Sequence, residues 1–419
     1  MAAGFFGDQE PRRFDVLRYG DRCLPLSEAV RLRRAQEAPP YHQEVDLGLA
    51  ADSAPGSVLV VPADTFIALT VIRSLGRKGV RVVGLCSPES VARSSRYCAA
   101  VREMPANKDD LPATVLEIIR EEKISHVIAT SDPAIMRLNR RRGDLEKHAT
   151  LLFPTAEAAA LAIHKDKTLE IARGAGVPCP ESLVLKSEAD IADARELRFP
   201  VVLKPRHQDI SAPAHKAPAF KVKHCASYED MVRALAPFHA SGDYPLVQEY
   251  CPGYGVGVEA LMRSGEPLLL FQHRRIREYP ISGGVSTCCE SMPLDPKLRD
   301  WSVALLKAMN WDGVAMVEFR YDEASGRAVL LEVNGRFWGS LPLAVHAGCD
   351  FPYEFYRSSV EPDRPAAVTA YRTGVQCRLL AAETKWLLQA LRQKPIPRWR
   401  AVAQYLLAFR PGTRYYAWA

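Results

Sequence analysis

Between Gly313 and Arg336, two apolar runs, Val314 to Phe319 and Val329 to Val333, flank the polar stretch Asp322-Glu-Ala-Ser-Gly-Arg327. Apolar runs of strand length around a Gly-containing turn fold back as a β-hairpin. Pairing centred on Ser325 sets Glu318 directly opposite Glu332, and the two-residue repeat of a strand puts Asn334 on the face of Glu332. Opposed Cβ atoms lie about 5 Å apart, so two carboxylates there repel each other and lose water together. A hard divalent cation relieves both penalties. Two carboxylates and an amide oxygen suit magnesium, with water and phosphate oxygens completing its shell, whereas zinc prefers His and Cys. Glu318, Glu332 and Asn334 are thus the expected metal ligands. The competing reading is a glutamate pair on a solvated sheet face, which the apolar neighbours on both strands disfavour.

The 419 residues leave room for two or three domains at about 150 residues each, and 47% hydrophobic with 25% charged residues is ordinary for soluble chains. A net charge of +6 is too dilute to imply nucleic-acid binding, so no nucleic acid is expected as a partner. No run of eighteen apolar residues occurs, and Asp8, Glu10, Arg12 and Arg13 occupy the place of a signal peptide's apolar stretch, so a cytoplasmic location is expected. Ten scattered cysteines without a C-x-x-C pair read as reduced packing thiols.

Residues 1–55 carry no sustained period and read as an irregular arm. From Val58 an apolar run, a helical pattern over Thr65 to Leu75 and a strand over Arg81 to Leu85 form a β-α-β unit, and a second unit follows through Val127 to Thr130. Alternating strands and helices predict a parallel α/β domain over 56–160. Mixed strands and helices over 161–360 predict an α+β domain. Residues 361–419 hold ten Lys or Arg against three acids and read as a basic, aromatic, helical extension. Trp386, Leu387, Leu388 and Leu391 share a helical face there. Packing on the preceding domain and docking on a membrane surface, by Arg392, Lys394, Arg398 and Arg400 among aromatics, both fit this pattern.

Other chemistry-bearing residues lie on the predicted strands. Lys204 ends the apolar strand Pro200-Val-Val-Leu, from which an ammonium reaches phosphates; a lysine that merely snorkels off a strand end is the plain alternative. His273-Arg-Arg-Ile-Arg-Glu-Tyr-Pro reads as a cationic loop, with Arg275 able to meet anionic substrate and a solvated charge run as the rival. Arg336, two residues past Asn334, is placed to stabilise charge developing during phosphoryl transfer. The ten histidines show no metal spacing, no P-loop is present, and no Ser/His/Asp arrangement is visible.

Taken in order, Asp166-Lys167, Gly176-Val-Pro-Cys-Pro, Pro200 to Lys204, Gln248-Glu249-Tyr250, Glu318 and Glu332-Val-Asn334-Gly-Arg336 resemble the ATP-grasp superfamily. The likeness is to its carboxylate-amine ligase and carbamoyl-phosphate-synthetase-like branch and covers residues 57 to 352. It implies a pre-ATP-grasp domain followed by two subdomains that clamp ATP, with Mg2+ at Glu318, Glu332 and Asn334. By the same likeness Lys167 and Lys204 contact phosphates, Gln248, Glu249 and Tyr250 meet adenine, and Arg336 assists transfer. Two departures stand out: Arg206 to Phe220 holds no glycine where relatives carry a glycine-rich flap, leaving His207, His215 and Lys216 as cationic contacts, and Gly255 stands where relatives often place a glutamate. The implied reaction is ATP-dependent ligation, in which a small-molecule carboxylate takes the γ-phosphoryl group and an amine captures the acyl phosphate. Phosphotransfer without amide formation and a non-catalytic ATP-binding module are the alternatives. Oligomeric state is left open.

Overall fold

The computed structural model describes residues 16–19, 22–25, 56–206, 222–281, 283–362, 370–407, 409 and 412–416. The chain divides into units 1–54 and 55–419. In the first, β1 (Val16–Tyr19) pairs antiparallel with β2 (Arg22–Pro25), within the segment expected to be irregular. Gly20-Asp21 between them is a two-residue hairpin signature that the lack of a longer period obscured. The glycine-free loop, with His207, His215 and Lys216, lies outside the described residues.

In the second unit, Val58 to Val61 of β3 (Ser57–Val61) have no solvent exposure, because helices cover both faces of their sheet. Around β3 run β4 (Arg81–Cys86), β5 (Ala100–Glu103), β6 (His126–Ala129) and β7 (Thr150–Leu152), all parallel, in the order β5-β4-β3-β6-β7. Alternation sends Val58 and Val60 to α1 (Phe66–Arg77), and Leu59 and Val61 to α2 (Leu111–Glu121) and α3 (Asp132–Asn139). Thr65 starts α1 by accepting a hydrogen bond from the Ala68 amide at 3.2 Å. The short α4 (Arg142–Glu146) precedes β7.

Helices α5 (Ala156–Ile163) and α6 (Lys165–Gly174) lead into a four-stranded antiparallel sheet. Its order is β10 (Lys223–Cys225), β9 (Val201–Lys204), β11 (Leu246–Glu249), β8 (Ser182–Val184). Val201, Leu203 and Val247 bury against α7 (Tyr228–Leu235), so Val202, Lys204 and Gln248 emerge on the opposite face.

The third sheet has seven strands, β16 (Arg327–Asn334), β15 (Gly313–Asp322), β12 (Tyr254–Arg263), β13 (Glu266–Tyr279), β14 (Val285–Ser291), β17 (Gln376–Arg378) and β18 (Arg414–Tyr415), in that spatial order. Val256, Val258, Ala260 and Met262 pack with α6 and with α8 (Pro296–Ala308). The alternate residues Gly255, Gly257 and Glu259 face the other way. That second face joins the core of the parallel domain through Trp338, α9 (Leu341–Ala347) and α10 (Phe351–Val360), so one apolar cluster ties the two domains together. At about 1.5–3 kcal/mol per buried large side chain, this shared cluster holds the domains as one body.

Two expectations are corrected. The segment read as a cationic loop is the second half of β13, because its arginines find acidic partners: Glu290 and Glu318 on other strands of the sheet, Glu278 on β13 itself and Glu383 behind it. The boundary at 361 cuts a sheet, since β17 pairs with β14 and β18 with β17. Behind them, α11 (Leu380–Gln393) is anchored by Glu383, fully buried, which accepts from Arg277 Nη2 at 2.7 Å, Arg378 Nη2 at 2.7 Å and Thr287 Oγ1 at 2.6 Å. The last helix, α12 (Arg398–Leu407), buries Ala401 and leaves Trp399 and Leu406 exposed. No helix among the described residues is long and apolar enough to cross a membrane. The nine cysteines described are all free thiols.

Candidate active site

Glu318 on β15 pairs directly with Glu332 on β16, and Met316 with Asn334. The turn half of this hairpin runs one residue out of step with its far half: Tyr321 faces Ala328 and Phe319 faces Leu330, and a bulge at Leu331 then restores Glu318 to Glu332. The Leu330 amide donates instead to the Pro178 carbonyl at 2.8 Å. With Glu332 and Asn334 two apart on one strand, all three oxygen carriers share a face.

That face looks into a cleft of about 530 Å³ between the two antiparallel sheets, lined also by Lys165, Lys204, Gln248, Arg275 and Arg336. Arg275 on β13 donates through Nη2 to Glu318 and through Nη1 to Glu278 at 3.1 Å. A Cβ at Gly255 would sit 2.8 Å from Arg275 Cδ, so the departure from glutamate at 255 makes room for the arginine. Lys165 Nζ donates to Glu332 Oε2 at 2.7 Å. Burial weighs against the Lys165 charge, but the Glu332 carboxylate outweighs it and holds this ammonium above the ordinary lysine range. Lys165 in turn holds Glu332 well below the usual carboxylate range. Glu318 goes the other way: burial raises it, and although Arg275 opposes, Glu332 adds to the rise. The paired acids therefore split, one ionised and one resisting ionisation. A dication beside them reverses that resistance. Hard oxygen donors on one face and a carboxyl whose burial outweighs its arginine partner fit Mg2+, and Glu318, Glu332 and Asn334 are the residues that would hold it.

On the cleft's other wall, Lys204 Nζ donates to Gln248 Oε1 at 2.6 Å. Burial holds this ammonium below the ordinary lysine value, a state that polyphosphate would reverse. Gln248, Glu249 and Tyr250 all line the cleft, but the Glu249 carboxylate is engaged by Arg327 Nη2 at 2.7 Å and the Glu181 amide at 3.1 Å. Arg336 reaches the parallel domain, its Nε 3.1 Å from Asp132 Oδ2, and its Nη2 donates to Asn334 Oδ1 at 3.3 Å.

One expected residue is elsewhere. Lys167 is exposed on α6 and does not line the cleft; Lys165, at the start of that helix, does. An eye for a lysine beside Asp166 finds both, and only helix phase separates them. The fold also gathers what spacing hid: Ser340, His273 and Glu259 stand in hydrogen-bonding file at the cleft wall.

Residues 243–382, about a third of the chain, match a family described as ATP-grasp in the biosynthetic pathway with Ter operon. A D-alanine–D-alanine ligase of Acidiphilium cryptum (strain JF-5) is 26% identical over 208 residues, 46% of this chain and 65% of that ligase. The chain thus spans just under two thirds of that relative's length. Two solved structures share the fold. The ADP complex of an N5-carboxyaminoimidazole ribonucleotide synthetase is 16% identical, with TM-score 0.63 over 82% of this chain and 86% of that one. The biotin carboxylase domain of Hydrogenobacter thermophilus 2-oxoglutarate carboxylase, solved with MgADP, ADP and bicarbonate, is 19% identical, with TM-score 0.60 over 76% and 73%. The matched segment contains the acidic hairpin and the strand bearing Arg275, so over that third of its length the chain is similar to ATP-grasp proteins, and its fold is shared with the two solved structures.

Proposed function

We propose that this chain is an ATP- and Mg2+-dependent ligase that joins a small-molecule carboxylate to an amine through an acyl phosphate, releasing ADP and phosphate. The observation that carries the reading is the convergence on one cleft of the paired Glu318 and Glu332 with Lys165, Lys204, Arg275 and Arg336. Phosphoryl transfer needs positioning and charge stabilisation more than a protein nucleophile, and this cleft offers those. Magnesium held by Glu318, Glu332 and Asn334 would neutralise nucleotide phosphate charge. Lys204 and Lys165 take the phosphates, and the strand Gln248 to Tyr250 takes the adenine. Arg336, fixed by Asp132, and Arg275, fixed by Glu278, face the migrating group and the carboxylate that receives it. The free thiols and the dilute charge support work in the cytosol without nucleic acid.

The test is ADP release screened over mixed carboxylates and amines, with Glu332→Gln as control. Amine-dependent ADP release that falls at least about a hundredfold in Glu332→Gln is expected. Release that ignores the amine indicates phosphotransfer instead, and undiminished turnover in Glu332→Gln contradicts the metal assignment.

A further inference from the structure

Glu259 on β12 has no solvent exposure, yet no arginine or lysine among the described residues is hydrogen-bonded to it. Its Oε1 is hydrogen-bonded to His273 Nδ1, and its Oε2 has no partner among the described residues. His273 is 1% exposed, and its Nε2 lies 3.3 Å from the hydroxyl of Ser340, which lines the cleft. Gly257 directly faces His273 across the strand pair, and a Cβ there would come 2.5 Å from the imidazole Cε1. The ring therefore lies in space that only a glycine leaves open. Both contacts are satisfied by the tautomer in which Nδ1–H donates to the Glu259 carboxylate and Nε2 accepts from the Ser340 hydroxyl, which is assigned to the ring on that ground.

Burying a carboxylate and an imidazole costs several kcal/mol that apolar side chains would avoid. The neighbours on this face, Phe271 and Met316, show that apolar residues fit here. The file ends at the cleft with Ser340, and its middle member His273 on β13 lies two strands from Glu318 on β15 in the sheet order, roughly 10 Å across. With that tautomer both bonds point the same way, from cleft wall to buried acid.

We propose that Ser340, backed by His273 and Glu259, accepts the proton of the attacking amine. The inference rests on the ligase reading above and adds a step that reading leaves unassigned. As the nitrogen lone pair forms the C–N bond, the C–O bond to phosphate breaks and its electron pair leaves on the phosphate. The proton lost by nitrogen passes to Ser340 Oγ while Ser340 gives its own to His273 Nε2, and the imidazolium rests against Glu259. Ser340 is the group that meets the amine; His273 acts through it and Glu259 positions the ring. A 3.3 Å contact is typical of such pairs before substrate tightens them.

Hydroxylamine separates this role from a structural one. It is unprotonated at neutral pH and captures an acyl phosphate as a hydroxamate without enzymatic base. For a carboxylate found in the ADP-release screen, wild type, Ser340→Ala and His273→Gln are compared for hydroxamate and for amide formation. Both variants are expected to form hydroxamate within about twofold of wild type while amide formation falls about a hundredfold. Ser340→Ala removes a single oxygen and serves alone if His273→Gln does not fold. Equal losses of hydroxamate and amide, or no loss of either, overturn the relay. If wild-type protein forms amide but no hydroxamate from any carboxylate, the acyl-phosphate reading itself fails, and the relay with it.

Discussion

Lys165 places its ammonium 2.7 Å from Glu332, while Lys167, two residues along α6, turns to solvent. Lys165→Met is expected to lower ADP release about a hundredfold, the effect of losing one charge-stabilising donor. Lys167→Met should stay within about twofold of wild type, and steady-state kinetics of the two side by side check the assignment. The facing glutamates were legible because a strand repeats every two residues and the turn lies midway between them. The bulge at Leu331 was not: continuing the turn's own register would have set Glu318 opposite Leu331, and what repairs it is the Leu330 amide leaving the ladder for Pro178, a partner over 150 positions away in sequence. His273 and Glu259 stayed hidden for a similar reason. Their meeting depends on a β12–β13 register in which Gly257 clears space for the imidazole, and no linear spacing encodes that.

The strand β13 illustrates what alternation misses at the scale of elements. Arg274, Arg275 and Arg277 read as a solvated loop because charge usually marks the surface. Here Glu290 holds the first, Glu278 and Glu318 the second and Glu383 the third, and the strand runs on to Tyr279. Glu383 also decides whether α11 stays docked. Burial opposes its charge, but Arg277, Thr287 and Arg378 outweigh that and hold it below the ordinary carboxylate value. A carboxyl depressed in the folded state contributes stability that is complete above its unfolded pKa, about 4.3, and is lost as pH falls through the depressed folded value. Urea midpoints should therefore drop more for wild type than for Glu383→Gln between pH 7 and pH 3. At pH 7 the variant should be about 3–5 kcal/mol less stable, because Arg378 is left buried without its counter-charge. Helix α12 keeps Trp399 68% and Leu406 59% exposed beside Arg398 and Arg400. If this surface meets anionic lipid, wild type pellets with phosphatidylserine vesicles and Trp399→Ser with Leu406→Ser does not; wild type that stays in the supernatant removes the membrane contact. Substitution is the better probe than truncation, since β17 is built into the sheet.

Across the whole molecule, the fold class was readable from periodicity: an apolar strand flanked by amphipathic helices announces the parallel sheet, and mixed elements announce the change of architecture. How the domains meet was not, because the apolar cluster joining Val58 and Val60 to Phe271, Met316 and Trp338 draws on residues more than 200 positions apart. That contact reaches the cleft, since Asp132 of the parallel domain holds Arg336 there. On the proposed function, the parallel domain thus supplies part of the site.

The account stands on nucleotide-bound metal between Glu318 and Glu332. A crystal structure of the full chain with MnADP, phased for manganese anomalous scattering, reads this without knowledge of either substrate. A single strong peak bounded by Glu318, Glu332 and Asn334, with the diphosphate reaching Lys204 and adenine against Gln248 to Tyr250, is the predicted result. Nucleotide bound with the manganese elsewhere, or Arg275 and Lys165 still closed on both carboxylates with no metal between them, contradicts it.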